Sequence, residues 1–294
     1  MNMSLKFDKN KAYLMPVFFG PTWSQQQPFE GGKTMIDHYQ PGIVHVTNLT
    51  YETDRAVLED MIPDCYTLND PYVTVAVCEF TNLGWLNGKT YNLININVPV
   101  HFKGERDELD GDLVLAMFEN HSDPITGGRE TMGYGKLYCE IPPTQGCEGK
   151  YTCLASSWGF QFMKMTVDTN QAPADLPAIQ KYSAISAGKL HYKYIPAVME
   201  YGEDPAHNFT TPSVAYPTIL PKWVKPDDYP YEMIKPVYEI GSGSIEWFAP
   251  TWEDWPSFGN VGAGLAKLEC KRVLGGMHFT YSEPCEYATC YRLR

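Results

Sequence analysis

The sequence predicts an α+β fold that is mainly antiparallel β, a barrel-type sheet with a few peripheral helices. Three observations lead there. Several runs alternate apolar and polar residues at period two and are rich in Val, Ile, Tyr and Thr, the pattern of half-buried strands. Only one stretch carries a convincing helix start and stop, so helices do not separate the strands as a doubly wound parallel sheet requires. The 294 residues, 44% hydrophobic and 14% aromatic, are enough to bury a substantial core rich in rings. Residues 1–294 are read as one domain.

In chain order, strands are expected at 43–49, 72–80, 91–100, 113–119, 136–141, 151–157, 159–167, 189–200 and 265–281. The clearest are "YVTVAVCEF" and "YNLININVPV". In the second, Ile94, Ile96, Val98 and Val100 share one face, while Leu93, Asn95 and Asn97 share the other, so that an amide-bearing face can line a cavity. The helix runs from Thr53 to Met61, capped by Thr53 or Asp54 and stopped by Pro63, with Leu58, Met61 and Ile62 as its buried stripe. A second short helix is expected near 175–181. From 205 to 236, seven prolines interleave with Tyr, Trp and Asp. Such a segment is expected to be an extended arm or long loop, since proline cannot complete a strand ladder or sustain a helix. It is either a surface excursion or a cover for a pocket mouth or a neighbouring subunit.

Charge narrows the partners. A net charge of −12 and a pI near 5.0 repel phosphate backbones and anionic lipid heads, so neither nucleic acid nor membrane is expected. Eight cysteines without a CxxC read as reduced, mostly buried thiols. Pro16 interrupts the early apolar run and no cleavage pattern follows, so a cytoplasmic location is expected. Scattered histidines without HxH or HxxxH spacing give no metal site, and "GSGSIE" lacks the helix of a dinucleotide fingerprint, so no metal or cofactor is expected. The rings of "SIEWFAPTWEDWPSFG" can wall a substrate pocket or fill a core.

The chemistry centres on one lysine. In "GGRETMGYGKLYCEI", Lys136 stands among Met132, Tyr134, Leu137 and Tyr138, with Gly133 and Gly135 permitting close backbone approach. Most lysines are solvated surface charges, but apolar neighbours that desolvate an ammonium lower its pKa and free the amine to attack a carbonyl and form an imine.

These residues resemble the acetoacetate decarboxylase family. "GGRETMGYGKL" is similar to its Gly-Arg-Glu…Tyr-Pro-Lys-Lys segment, with Lys136 on the lysine that forms the Schiff base and Arg129, Glu130 and Tyr134 also matching. "MPVFFGPTW", "TDRAVLEDMIPDCYTLNDPYVTV", "NVPVHFKG", "TCLASSWGFQFMKM", "LHYKYIP" and "FGNVGAGLAKLEC" follow the family's order along most of the chain. The resemblance implies the family's barrel-type sheet, a cofactor-independent lyase acting on a keto acid or related carbonyl, and a homo-oligomer.

The sequence also departs from the family. Leu137 replaces the second lysine, which in the family helps depress the pKa of the first, and Gly135 replaces the proline. By register, the pocket glutamates fall at Ala76 and near Leu93, and the arginine near Glu52. Aldol-type condensation with dehydration, or hydration, therefore stands beside decarboxylation, and a non-catalytic binder of a small hydrophobic ligand is the alternative outside enzymes. Tyr134, Glu119 and Glu79 are candidates for proton transfer. Asn95, Asn97, Leu93, Met117 and Leu137 are candidates for substrate contact, and Arg129 and Glu130 are expected to pair and hold the loop.

Overall fold

A computed structural model describes residues 13–21, 42–86, 88–172, 175, 177, 181, 185–199, 201–202, 211–222, 233–283 and 290–294. Its strands are β1 Gly42–Glu52, β2 Tyr66–Leu68, β3 Tyr72–Leu83, β4 Lys89–Lys103, β5 Glu108–Glu119, β6 Lys136–Tyr138, β7 Gln145–Cys147, β8 Lys150–Ser157, β9 Phe160–Asp168, β10 Gly188–Pro196, β11 Pro212–Pro221, β12 Met233–Ile240, β13 Ser242–Trp247, β14 Arg272–Glu283 and β15 Tyr291–Arg292. They form an 11-stranded sheet with the path β12-β14-β1-β3-β4-β5-β10-β11-β15, to which β2 adds at β4 and β6 at β5. A second sheet, β13-β9-β8-β7, packs against it. Pairing is antiparallel except where β6 and β10 meet β5. The mainly antiparallel α+β class is as the sequence predicts; among the described residues the path of the main sheet runs between two ends.

The period-two pattern explains the layers. Leu49, Val75, Val77, Ile94, Ile96 and Phe118 point from the main sheet toward Phe162, Met163, Met165, Val167 and Ile245 of the second. Each of the large side chains contributes about 1.5–3 kcal/mol by leaving water. Trp255 is buried here with its ring 5.1 Å from Phe162, and the Trp247 indole N–H donates to the Tyr51 hydroxyl at 3.0 Å. Of the aromatic cluster, these two rings therefore serve the core, whereas Trp252 stays exposed. The opposite face of the main sheet carries a second, smaller cluster that includes Val44, Val46, Cys78, Phe80, Leu93, Val114, Met117 and Tyr134.

The first predicted helix forms at Arg55–Met61, with the Asp54 carboxylate accepting from the Ala56 N–H at 3.0 Å and Leu58 buried. The second falls largely outside the described residues. Strand 265–281 is corrected: Gly259–Leu265 is helical, and the strand begins only at Arg272. The Pro-rich stretch is corrected as well, because Pro212–Pro221 pairs with β10 in continuous antiparallel register before a shift at Ile195. Pro212 and Pro221 sit at its ends. Pro217 is accommodated because the neighbour on that side is the two-residue β15 near the sheet edge, where a missing N–H costs little. Its carbonyl still accepts from the Leu293 N–H at 3.0 Å. Positions 203–210 and 223–232 lie outside the described residues. Among the described residues, no helix is long and apolar enough to cross a membrane.

Candidate active site

The chain between β5 and β6 is what brings the lysine inward. After Glu119 closes β5, the helix Ser122–Gly127 starts where the His121 ring accepts from the Asp123 N–H, and it continues as a π-helical turn at Gly128–Met132. Gly133, at φ +85°, ends that turn in the left-handed region that glycine adopts without strain. The strand β6 then returns parallel to β5, setting Lys136 opposite Met117. Successive side chains on a strand alternate, so Met117, Glu119 and Lys136 face one way and Phe118 and Leu137 the other.

Lys136 is 6% exposed and Glu119 1%. The amine lies 2.7 Å from Glu119 Oε1, donates to the Pro124 carbonyl at 3.0 Å, and sits 5.0 Å from the centroid of the Tyr134 ring. Burial pushes the Lys136 ammonium below the usual lysine range, and the Glu119 carboxylate pulls it back. Burial likewise raises the Glu119 carboxyl, and Lys136 opposes that. Space is tight. A Cβ on Gly128 would stand 2.6 Å from Lys136 Cε and 2.8 Å from Nζ, so glycine is required for the amine to reach this position.

The backbone of the segment is pinned. Arg129 donates from Nη1 to the Lys136 carbonyl at 2.8 Å, and Thr218 donates to the Met132 carbonyl at 3.0 Å. Lys193 donates to the Glu130 carbonyl at 2.5 Å, while the Glu130 carboxylate accepts from the Met15 N–H. Next to the lysine, the Tyr134 ring stacks on His191 at 3.9 Å, and Cys290 Sγ lies 3.8 Å from the Tyr134 hydroxyl. Burial raises the Cys290 thiol to about 11. Among the described residues, several buried polar atoms have no hydrogen-bond partner: Glu119 Oε2, Asn95 Oδ1, Asn97 Oδ1 and both ring nitrogens of His191. A buried ion pair bordered by unsatisfied polar atoms can bind a carbonyl compound and move a proton beside it.

Comparison with known proteins gives the family. A family model described as acetoacetate decarboxylase matches residues 14–290. The chain belongs to the acetoacetate decarboxylase family. The acetoacetate decarboxylase of Chromobacterium violaceum is 33% identical over 91 residues, 30% of this chain and 33% of the relative. That of Acidiphilium cryptum is 35% identical over 91 residues, 30% of this chain and 34% of the relative. The matched stretch thus spans about a third of the length of these curated relatives. Among solved structures, the acetoacetate decarboxylase of Legionella pneumophila superposes with a TM-score of 0.59 at 20% identity, covering 86% of each chain. An acetoacetate decarboxylase-like enzyme of Sphingomonas wittichii gives 0.59 at 14% identity over 92% of this chain and 99% of its own. The enduracididine biosynthesis enzyme MppR complexed with pyruvate gives 0.55 at 15% identity over 89% and 94%. These structures share the fold of the family.

Set against the expectations for a family member, the structure gathers Lys136, Tyr134 and Glu119 together, with Leu93 and Met117 in the adjoining apolar cluster and Asn97 buried on that face. Asn95 is paired with Met117 across the strands. Leu137 is corrected as a substrate contact: it packs into the inter-sheet core, since its neighbour Lys136 takes the other face. Glu79 is also on the wrong face for proton transfer to Lys136. Its carboxylate accepts from the Thr144 N–H and borders a separate hollow of about 330 Å³ with His45, Thr47, Tyr151 and His278. Arg129 and Glu130 hold the loop separately rather than as a pair, because their heads meet different backbone groups. Glu52, at the position matched to the family arginine, is tied to Arg272 at 3.0 Å, whereas Leu93, at one glutamate position, is directly opposite Glu119.

Sequence reasoning missed His191, Cys290, Pro124, Gly128 and Thr218. The run "LHYKYIP" held the only available signal for His191, a histidine following a core leucine in a strand, and nothing local linked it to Lys136.

Proposed function

We propose that the chain is a lysine-imine lyase that makes or breaks a carbon–carbon bond in a small carbonyl compound. The observation that carries this reading is the burial of Lys136 at 2.7 Å from Glu119. In the proposed reaction the neutral amine attacks the carbonyl carbon and the carbinolamine loses water to leave a protonated imine. The bond beside it then breaks, its electron pair passing into the imine to give an enamine. Protonation of the enamine at carbon and hydrolysis release product and restore the amine. Glu119 and Tyr134 are the groups within reach to transfer those protons. In a β-keto acid, whose carboxylate sits on the carbon next to the carbonyl, the leaving group is carbon dioxide, the reaction named by the family.

One observation favours a second reaction on the same imine. The partner of Lys136 is a carboxylate, a group able to remove a proton beside an iminium carbon, as aldol condensation and dehydration require. A homo-oligomer, implied by the family resemblance, is part of this proposal and is measured by light scattering. Borohydride reduction in the presence of acetoacetate or pyruvate is expected to leave an adduct on Lys136, seen by peptide mass spectrometry and absent in Lys136→Ala. Carbon dioxide release separates decarboxylation from condensation. If no carbonyl compound gives an adduct, the imine reading fails and a binding protein takes its place.

A further inference from the structure

His191 projects from β10 onto the lysine-bearing face, opposite Thr218 of β11, and is 1% exposed. Its backbone carbonyl is fixed from the other side by the Tyr66 hydroxyl at 3.0 Å. Its ring stacks on Tyr134 at 3.9 Å, the same ring over which Lys136 Nζ sits. Among the described residues neither ring nitrogen has a hydrogen-bond partner. A buried polar group without a partner is costly, so an arrangement that leaves two on one side chain calls for a ligand group that meets them. Burial, reinforced by Lys189 and Lys136, holds the imidazole down to about 3, so that it is neutral at ordinary pH. A neutral imidazole offers one N–H and one lone pair, which complement a group that both accepts and donates. A hydroxyl does both. A carboxylate can only accept, and Lys136 is the only buried lysine or arginine among the described residues, already matched by Glu119.

We infer that His191 is a specificity-determining residue and that the group it contacts is an uncharged hydroxyl on the carbonyl substrate, making a hydroxy-aldehyde or hydroxy-ketone the preferred class over a keto acid. This rests on the imine reading. Asn97, whose Oδ1 is also buried without a partner on this face, is a further acceptor for such a hydroxyl.

The test compares three probes of similar size: glycolaldehyde, propanal and pyruvate. Borohydride trapping on Lys136 is expected to reach half-saturation with glycolaldehyde at a concentration at least about tenfold below that for propanal or pyruvate, because a site built for a hydroxyl rejects analogues that lack it. His191→Phe keeps a ring on Tyr134 and removes both nitrogens; it is expected to trap glycolaldehyde and propanal alike. His191→Gln restores a donor and an acceptor and part of the preference. Ring ¹⁵N resonances of His191, followed in the unaltered protein during titration with glycolaldehyde and with propanal, report the contact without needing an imine. Equal half-saturation in the unaltered protein, a preference for pyruvate, or His191 resonances that glycolaldehyde does not move would overturn the assignment. Absence of any adduct together with moving resonances would instead sink the imine reading and leave the hydroxyl site standing.

Discussion

The two faces of the main sheet are built from the same strands on opposite principles. Toward the second sheet, Ile94, Ile96 and Phe118 meet Phe162, Met163 and Met165, all fully buried and all apolar. Across the sheet, the residues that alternate with them are Leu93, Asn95, Met117 and Glu119, and they leave several polar atoms without partners. The difference teaches that stability and chemistry are divided by side-chain parity. One face supplies the free energy that the other gives up to hold a lysine, a carboxylate and a bare imidazole out of water.

Substitutions on each face test that division. Lys136→Ala removes the amine and is expected to abolish adduct formation completely. Its thermal midpoint moves only modestly, since Glu119, already raised by burial, can take a proton in place of the lost partner. Phe162→Ala, in the second sheet that packs on the opposite face, is expected to cost about 3–5 kcal/mol of stability by denaturant titration. It should leave trapping on Lys136 unchanged in dilute denaturant. Should it weaken trapping at constant foldedness, the faces are coupled and the division fails. Gly128→Ala adds one methyl group 2.6 Å from Lys136 Cε, which must displace the lysine side chain from its present position. Trapping is expected to slow by on the order of a hundredfold, as for a catalytic group misplaced by about 1 Å. The accompanying loss of stability is about 1–3 kcal/mol.

Acid gives the most gradual effect. Above the ordinary histidine range, His191 is neutral both folded and unfolded and contributes nothing. As pH falls from 6.5, the unfolded chain takes up a proton that the folded one refuses until about 3. This group therefore leaves stability unchanged above 6.5 and lowers it by up to about 1.4 kcal/mol per pH unit toward 3. In His191→Gln that slope disappears, a change read from denaturation midpoints at pH 4 to 7.

The strands were largely legible because the alternation of β3 and β4 is a local property of the chain, as is the cap at Asp54. The inward lysine was legible for a similar reason: Tyr134, two residues before it, is also one of its walls, and Glu119 lies on the flanking strand. What stayed hidden was non-local or broke a propensity rule. His191 reaches Tyr134 only because β10 runs parallel to β5 at Leu113, a pairing with no signature near either residue. The strand β11 was masked by prolines that its place near the sheet edge tolerates. Leu137 was misread because adjacency along the chain suggested adjacency in space, whereas strand geometry places the two side chains on opposite sides. A cation at 137 would thus face the inter-sheet core, so the lowered basicity of Lys136 follows from burial, its largest cause.

The two hydrogen bonds of the lysine head have a stereochemical corollary. A neutral amine has two hydrogens, and Glu119 and Pro124 account for both. The nonbonding pair is left with one direction in which to point, so an incoming carbonyl carbon must approach the amine along that single line, and the geometry of addition is set by the two groups that hold the hydrogens.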